Sequence, residues 1–538
     1  MKSIYNSILY ILCAQFVLLS CTDDFSEINT DPKNSTVDGI DDGLIPLVAK
    51  KSFYGAVYMG QNANGPFQLG HSLFSDVYAN YFATTAAGFD SDQFILVDRW
   101  LNGAYAEQYG NVAPELKFAL DYTAERDYFS TENAMMKVWK VFFFHRLTDY
   151  WGPIPYSNFG EVESGPVMYD SQKDIYADFF NLLDEAVATF DTQTGQSVFF
   201  GNTANDIIYN GSVDNWKALA NSLRLRLALR IKYVDGALAK SEAEKAVASG
   251  VIMNNSQNAY VNSDNGNFRN NYTTITQWGE FRMSADMESV LKGYKDPRVA
   301  NYFAPADSVD TLDDPVGLTF DYEGMRNGQT ANTKTATPFN TIASDMAGEY
   351  TVDGSVGPPY PILRAAEAYF LRAEGALEGW AMNGTAKDLY EQGIQMSHAE
   401  YEYDGTNLSG EDYISSTNVP AGFDSTTPPA STAPIAYDEA ADKERQLEQI
   451  ITQKWIALFP DSEEAYAERR RTGYPTLYDR LNSLIPSQIP VDEIPRRMPY
   501  VSDEYNNNRE AIDDAVNNPE KLDGPDDGTT KLWWDKKN

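Results

Sequence analysis

Few residues in this sequence are spaced for covalent chemistry. The three histidines, His71, His145 and His398, lie far apart, and none has the spacing of a zinc-binding helix. No nucleophile-elbow motif occurs, and no Gly-rich loop is followed by the Lys and Ser or Thr that phosphate binding requires. The Asp-rich turns "DGIDDG" and "DGPDDG" lack the ligand spacing of a calcium loop, so they read as solvated turns and no cofactor is expected. A glycosidase needs only two placed carboxylates. With 78 acidic residues, composition alone leaves that alternative open.

Binding chemistry has a clearer signature. Aromatic and amide side chains alternate in "SDVYANYF", "RWLNGAYAEQYGN", "NSDNGNFRNNYTTITQWGEFR" and "FDYEGMRNGQT". Sugar rings offer C–H faces that stack on Trp and Tyr, while their hydroxyls pair with Asn, Asp and Arg. Amphipathic aromatics also anchor peptides. For any single ring, packing against the scaffold is the commoner role; the clustering is what points to a ligand. The candidate ligand-binding residues are Tyr78, Tyr81, Trp100, Asn102, Trp278 and Arg282. Rings are expected to stack, and the amide and guanidinium groups to fix hydroxyls. On this reading, alanine at Trp100 or Trp278 weakens binding without unfolding the chain.

The remaining reactive group is a thiol. "MKSIYNSILYILCAQFVLLS" has one positive charge, Lys2, and an apolar run from Ile8 to Leu19, the pattern of a secretory signal too short to span a bilayer. Residues 1–20 are thus read as a signal peptide. Leu18, Leu19 and Ser20 ahead of Cys21 resemble a bacterial lipoprotein box, which would leave Cys21 N-terminal and acylated. An ordinary signal peptide would instead leave Cys21 as the only thiol of a secreted chain, since Cys13 departs with the leader. Removing residues 1–20 also takes away Lys2 and no acid, so the formal charge of −36 becomes −37. That field repels nucleic acid and anionic membrane surfaces. A hydrophobic fraction of 43% excludes a disordered polyelectrolyte.

These groups must be positioned by helices. "ENAMMKVWKVFFFHRLTDYWG" and "SQKDIYADFFNLLDEAVATF" have apolar periodicity bounded by Gly, Pro and Ser. In "DNWKALANSLRLRLALRIKYV", Trp216, Ala220, Leu223, Leu227 and Ile231 form one stripe, Arg226 and Arg230 share another face, and Asp214 is the expected N-cap. Ala366, Phe370, Ala373 and Leu377, then Leu389, Gly393 and Met396, describe two helices crossing at small residues, similar to a tetratricopeptide unit. "KERQLEQIITQKWIALF" and "PDSEEAYAERRRTGYP" give another pair, the second opening with Asp461 and Glu464 in capping-box spacing and stopping at Gly473. Residues 55–112, 252–361 and 403–438 lack such periodicity and are expected to be long loops, the last a polar surface insertion.

The leader followed by "CTDDFSEINTDPKNST", together with "FFFHRLTDYWGPIPYSN", "NWKALANSLRLRLALRI", "MSADMESVLKGYKDPRVANYF", "YPILRAAEAYFLRAEGAL" and the closing "WWDKKN", resembles the SusD/RagB family of outer-membrane nutrient-binding lipoproteins. The resemblance runs from about Cys21 to the C-terminus. It implies a mainly α, SusD-like fold in a single domain, residues 21–538: four tetratricopeptide-type helix pairs form the scaffold, and irregular loops form the binding surface. It implies a lipid-anchored, surface-exposed protein that is not an enzyme. Its partner would be a SusC-like TonB-dependent transporter, over which it closes as a lid on an oligosaccharide or, in some members, a peptide. A surface glycosidase and an adaptor using a tetratricopeptide-like groove are the alternatives.

Overall fold

Helix boundaries follow the capping residues. The computed structural model describes residues 41–537 apart from 61, 161–165, 194, 196–197, 265–266, 307–319 and 352–355, so the signal peptide and Cys21 lie outside the described residues. Helices α1 (Ile45–Ala56), α2 (Asp98–Glu107) and α3 (Ala113–Ala124) precede α4 (Ser130–Trp151), which ends where Gly152 turns the chain at φ 84°. Helix α5 (Gln172–Asp191) is capped by Ser171, whose side chain accepts from the Asp174 amide. Helix α6 (Val213–Arg230) is capped by Ser212 and not, as expected, by Asp214, because Ser212 already has extended backbone and its oxygen reaches the Asn215 N–H. Helix α7 (Gly236–Ser249) follows after a short turn.

Beyond α8 (Ala285–Tyr294) come α9 (Ala365–Leu377), α10 (Ala386–Glu400), α11 (Lys443–Leu458) and α12 (Ser462–Thr472). Asp461 caps α12 through the Glu464 amide, and Gly473 stops it in the left-handed region. The helices pack as the pairs α4/α5, α6/α7, α9/α10 and α11/α12, with α6 against α4, α5 and α9, and α9 against α11. A Cβ on Gly393 of α10 would stand 2.7 Å from the Phe370 ring of α9, so this crossing tolerates only glycine. Two antiparallel ribbons tie intervening segments to the helices. Strand β1 (Phe82–Thr84) pairs with β3 (Phe281–Met283), and β2 (Ala259–Val261) pairs with β4 (Tyr360–Leu363), which runs straight into α9.

The expected loops at residues 55–112 and 252–361 are corrected, the second because it carries β2, β3, α8 and the start of β4; residues 403–438 are irregular, as expected. Residues 55–112 are largely helical, with π-helical turns at Gln68–Ser75 and Gln108–Val112. A π turn shifts the side-chain register away from 3.6 residues, and burial on all sides removes the polar face. Both effects erase the periodicity. Residues 403–438 keep most side chains at the surface and are anchored by a few: Tyr413 and Ile435 are fully buried, the Tyr413 hydroxyl donates to Asp296 at 2.6 Å, and Tyr390 of α10 donates to the Ile435 carbonyl. This strap crosses α8 where Gly293 leaves no space for a side chain, a Cβ there lying 2.2 Å from the Ala421 nitrogen.

The inner helices meet through charge as well as apolar packing. Arg226 of α6 makes a two-pronged pair with Glu367 of α9, both bonds 2.7 Å. Arg230 reaches Asp149 of α4 and both Glu464 and Glu468 of α12. Arg471 of α12 grips Glu374 of α9 at 2.6 Å through both nitrogens and returns to Glu468. Lys232 and Lys454 add to Glu374 and Glu468 at 2.7 and 3.0 Å. The cations and carboxylates of this network are equal in number, and every one of these side chains is buried.

Glu288 of α8 is a buried acid with a weaker partner, Lys292 at 3.3 Å. Burial pushes its carboxyl up to about 7, against the downward pull of Lys292 and of the Gly324 amide. A carboxyl raised in the folded state adds stability that is complete below its unfolded value and is lost as pH rises through the folded value. We therefore expect a Glu288 contribution of about 1 kcal/mol that is present at pH 6 and gone at pH 8. Urea unfolding at the two pH values checks it. Glu288→Gln should flatten that part of the profile whatever its absolute stability, and an unchanged slope would refute the assignment.

Candidate functional site

The β1/β3 ribbon sets Ala83 opposite Arg282 and fixes the turn that precedes β3. There the short helix Tyr272–Trp278 ends at Gly279, whose φ of 69° suits glycine, and Thr85 donates its hydroxyl to the Gly279 carbonyl at 2.7 Å. Trp278 is thereby held outward. It is 43% exposed, the one tryptophan of the nine with a large free face. Gln277 beside it is also exposed. Arg282 donates Nη2 to the Asn340 carbonyl at 2.8 Å and Nη1 to the Phe281 carbonyl, and meets Asp345 at 3.4 Å. The guanidinium thus pins the turn that carries the exposed Asn340 next to Gly279. On the other side of Gly279, Glu280 accepts from the Gln68 amide at 2.7 Å. Around Gly279 the turn thus brings together the exposed ring, the Gln277 and Asn340 amides and the Glu280 carboxylate.

The six residues singled out in the sequence fall into different places. Tyr78 and Tyr81 are corrected to core residues: both are fully buried, with hydroxyls donated to the carbonyls of Ser91 at 3.0 Å and Trp455 at 2.6 Å. Trp100 is also corrected to core, packed edge-on against Phe89 and Phe74. Arg282 is 8% exposed and acts through Asn340 instead of offering its own donors to a ligand. Asn102 is half-buried, and its amide donates to Asp503 at 2.7 Å, away from the Trp278 platform in its bonding. Asn340 lies against Gly279 and Gln68 bonds Glu280, yet they are 62 and 210 positions from Trp278 in the sequence, so only tertiary contacts bring them to this turn.

A buried carboxylate cluster at the end of α4 is not a second candidate. Asp149, Asp461, Glu463 and Glu464 surround a void of about 10 Å³ with His145, Arg146 and Arg226. One water needs roughly that much space, so no sugar ring enters. His145 there bonds the Val141 carbonyl at 3.2 Å, and burial among arginines drives its ring well below the ordinary histidine range. Asp149 and Glu464 belong to the helix network, Glu463 pairs with Arg146, and Asp461 caps α12.

The family model described as SusD-like, SusD and RagB outer membrane lipoprotein, matches residues 27–535. The chain belongs to the SusD/RagB family. A chitin-binding SusD homologue from Flavobacterium johnsoniae is 35% identical, with a TM-score of 0.80 over 91% of this chain and 98% of that one. SusD homologues from Bacteroides vulgatus and Bacteroides thetaiotaomicron are 31% and 30% identical, with TM-scores of 0.79 and 0.78, over 91% and 92% of this chain and 97% and 99% of theirs. No curated protein matches. The mainly helical SusD-like fold therefore holds across the chain, and SusD-like proteins are nutrient-binding lipoproteins, generally without enzymatic activity. The family is one of outer membrane lipoproteins, and among the described residues no helix is long and apolar enough to cross a membrane.

Proposed function

We propose that this SusD-like protein captures an oligosaccharide at the cell surface, tethered through lipid on Cys21, and delivers it to a SusC-like TonB-dependent transporter over which it closes. The observation that carries the reading is Trp278: a large ring turned to solvent on a turn fixed from two sides, with Gln277 before it and Asn340 against the Gly279 that follows. An exposed tryptophan face is a stacking surface, and stacking on a sugar face with hydroxyls reaching the nearby amides uses both features. The 35% identity to a chitin-binding homologue makes N-acetylglucosamine oligomers the first ligands to try.

Calorimetric titration of the chain from Thr22, with chitooligosaccharides, other neutral and charged glycans and mixed peptides, tests it. Saturable binding of a glycan with no new reducing ends is the expected result. Glycan turnover would replace the reading with a glycosidase, and binding confined to peptides would replace the ligand class.

A further inference from the structure

A second cavity, of about 210 Å³, opens at the C-terminal end of α12, between residues 473–480 and 491–494. It has room for a small organic molecule, since a single water takes only about 10–15 Å³ by this measure. Arg469 and Arg480 line it. Arg480 is 4% exposed; it donates Nη2 to the Val77 carbonyl, and its buried Nη1 has no hydrogen-bond partner. Arg469 gives Nη1 to the Tyr78 carbonyl at 2.9 Å and to Asn80 Oδ1 at 3.1 Å. Neither donates to a carboxylate among the described residues.

The nearby acids reach the two arginines only through space. Asp286, the acid acting on Arg469, accepts from the Asn80 amide and the Tyr478 N–H, both at 2.7 Å. Asp92 and Asp286 both act on Arg480, and Asp92 is also paired with Lys334 at 3.1 Å. The end of α12 supplies at most about half a negative charge, short of a counterion for two guanidinium groups. Burial, and then repulsion from Arg480, pushes Arg469 down to about 10. Asp286 and Asp92 thus set two negative charges against the three positive ones of Arg469, Arg480 and Lys334, which leaves one positive charge in excess within a chain of formal charge −36. At the mouth the sign reverses, with exposed Asp479, Asp492 and Glu493.

We propose that this cavity binds the carboxylate end of a small ligand. A planar guanidinium fork matches a carboxylate, and two such groups, Arg469 and Arg480, line this one cavity. The acidic mouth disfavours doubly charged phosphate or sulfate and favours a ligand whose outer end is neutral or positive. A sugar acid and the C-terminus of a short peptide share this chemistry. The proposal stands apart from the oligosaccharide reading, because the cavity shares no residue with the Trp278 platform.

Titration of the whole chain from Thr22 with glucuronate, N-acetylglycine, methyl glucoside and inorganic sulfate decides the matter. Saturable binding of a carboxylate is expected, weakened about tenfold in Arg469→Gln. A preference for glucuronate identifies a sugar acid, and one for N-acetylglycine a peptide end. If Arg469→Gln does not fold, Arg469→Lys, which keeps the charge and loses the fork, should still weaken binding. No carboxylate binding, equal binding of methyl glucoside, tighter binding of sulfate, or affinity unchanged in the folded variant would each overturn the proposal.

Discussion

Replacing Arg471 with alanine is expected to destabilise the protein by about 3–5 kcal/mol, the cost of removing one partner from a buried ion pair. Arg471 lies wholly inside, holding Glu374 of α9 and Glu468 of α12 at 2.6 Å and the Leu229 carbonyl of α6 at 3.2 Å. Its loss strands two carboxylates with only Lys232, Lys454 and Arg230 to share. The penalty comes mainly from uncompensated charge, so it exceeds what a surface pair would show. Urea unfolding measures it, and a loss under about 1 kcal/mol would mean that water enters the network. The acid limb gives a second reading. Burial alone would raise Glu374, but Arg471 and Lys232 outweigh it and hold the carboxyl at about 2. Its contribution is present above the unfolded value near 4.5 and is lost as pH falls toward 2, and the variant should lose less stability across that window.

This network also explains what a linear reading misses. Arg226 and Arg230 stand out in the sequence as a face distinct from the apolar stripe of α6, which suggests solvent. In the fold both are buried, because the facing helices bring Glu367, Glu464 and Glu468 from more than 130 positions away. Local signals fare better: Ser171, Asp461, Gly152 and Gly473 act over one turn, and they mark helix ends in the sequence and the structure alike. The same contrast separates the site residues. Tyr78 and Tyr81 sit in an aromatic, amide-rich stretch that looks like a loop, but the π turn at Gln68–Ser75 and the approach of Ser91 and Trp455 close over them. Trp278 carries its own turn signal in the glycine that follows. The groups brought to that turn, Asn340 and Gln68, have no local mark at all, since they arrive through tertiary contacts, Asn340 by the hold of Arg282 and Gln68 by its bond to Glu280.

Trp278→Ala is expected to lower affinity for the captured oligosaccharide by at least about tenfold while leaving unfolding within about 0.5 kcal/mol of the parent. The two readouts separate because the ring is nearly half exposed and makes little of the core. Stacking is a face-to-face contact that no amide can replace, so Asn340→Ala, which removes one hydrogen-bonding group at the edge, should cost less. Trp278→Phe keeps a smaller face and should recover part of the loss. The same truncation at Trp100 runs the other way. That ring is buried against Phe89 and Phe74, so alanine leaves a cavity, costs about 3–5 kcal/mol of stability and affects binding only through unfolding. Titration and thermal unfolding of both variants therefore divide the two tryptophans that the sequence treats alike. Affinity unchanged in a folded Trp278→Ala protein would move the site off this platform.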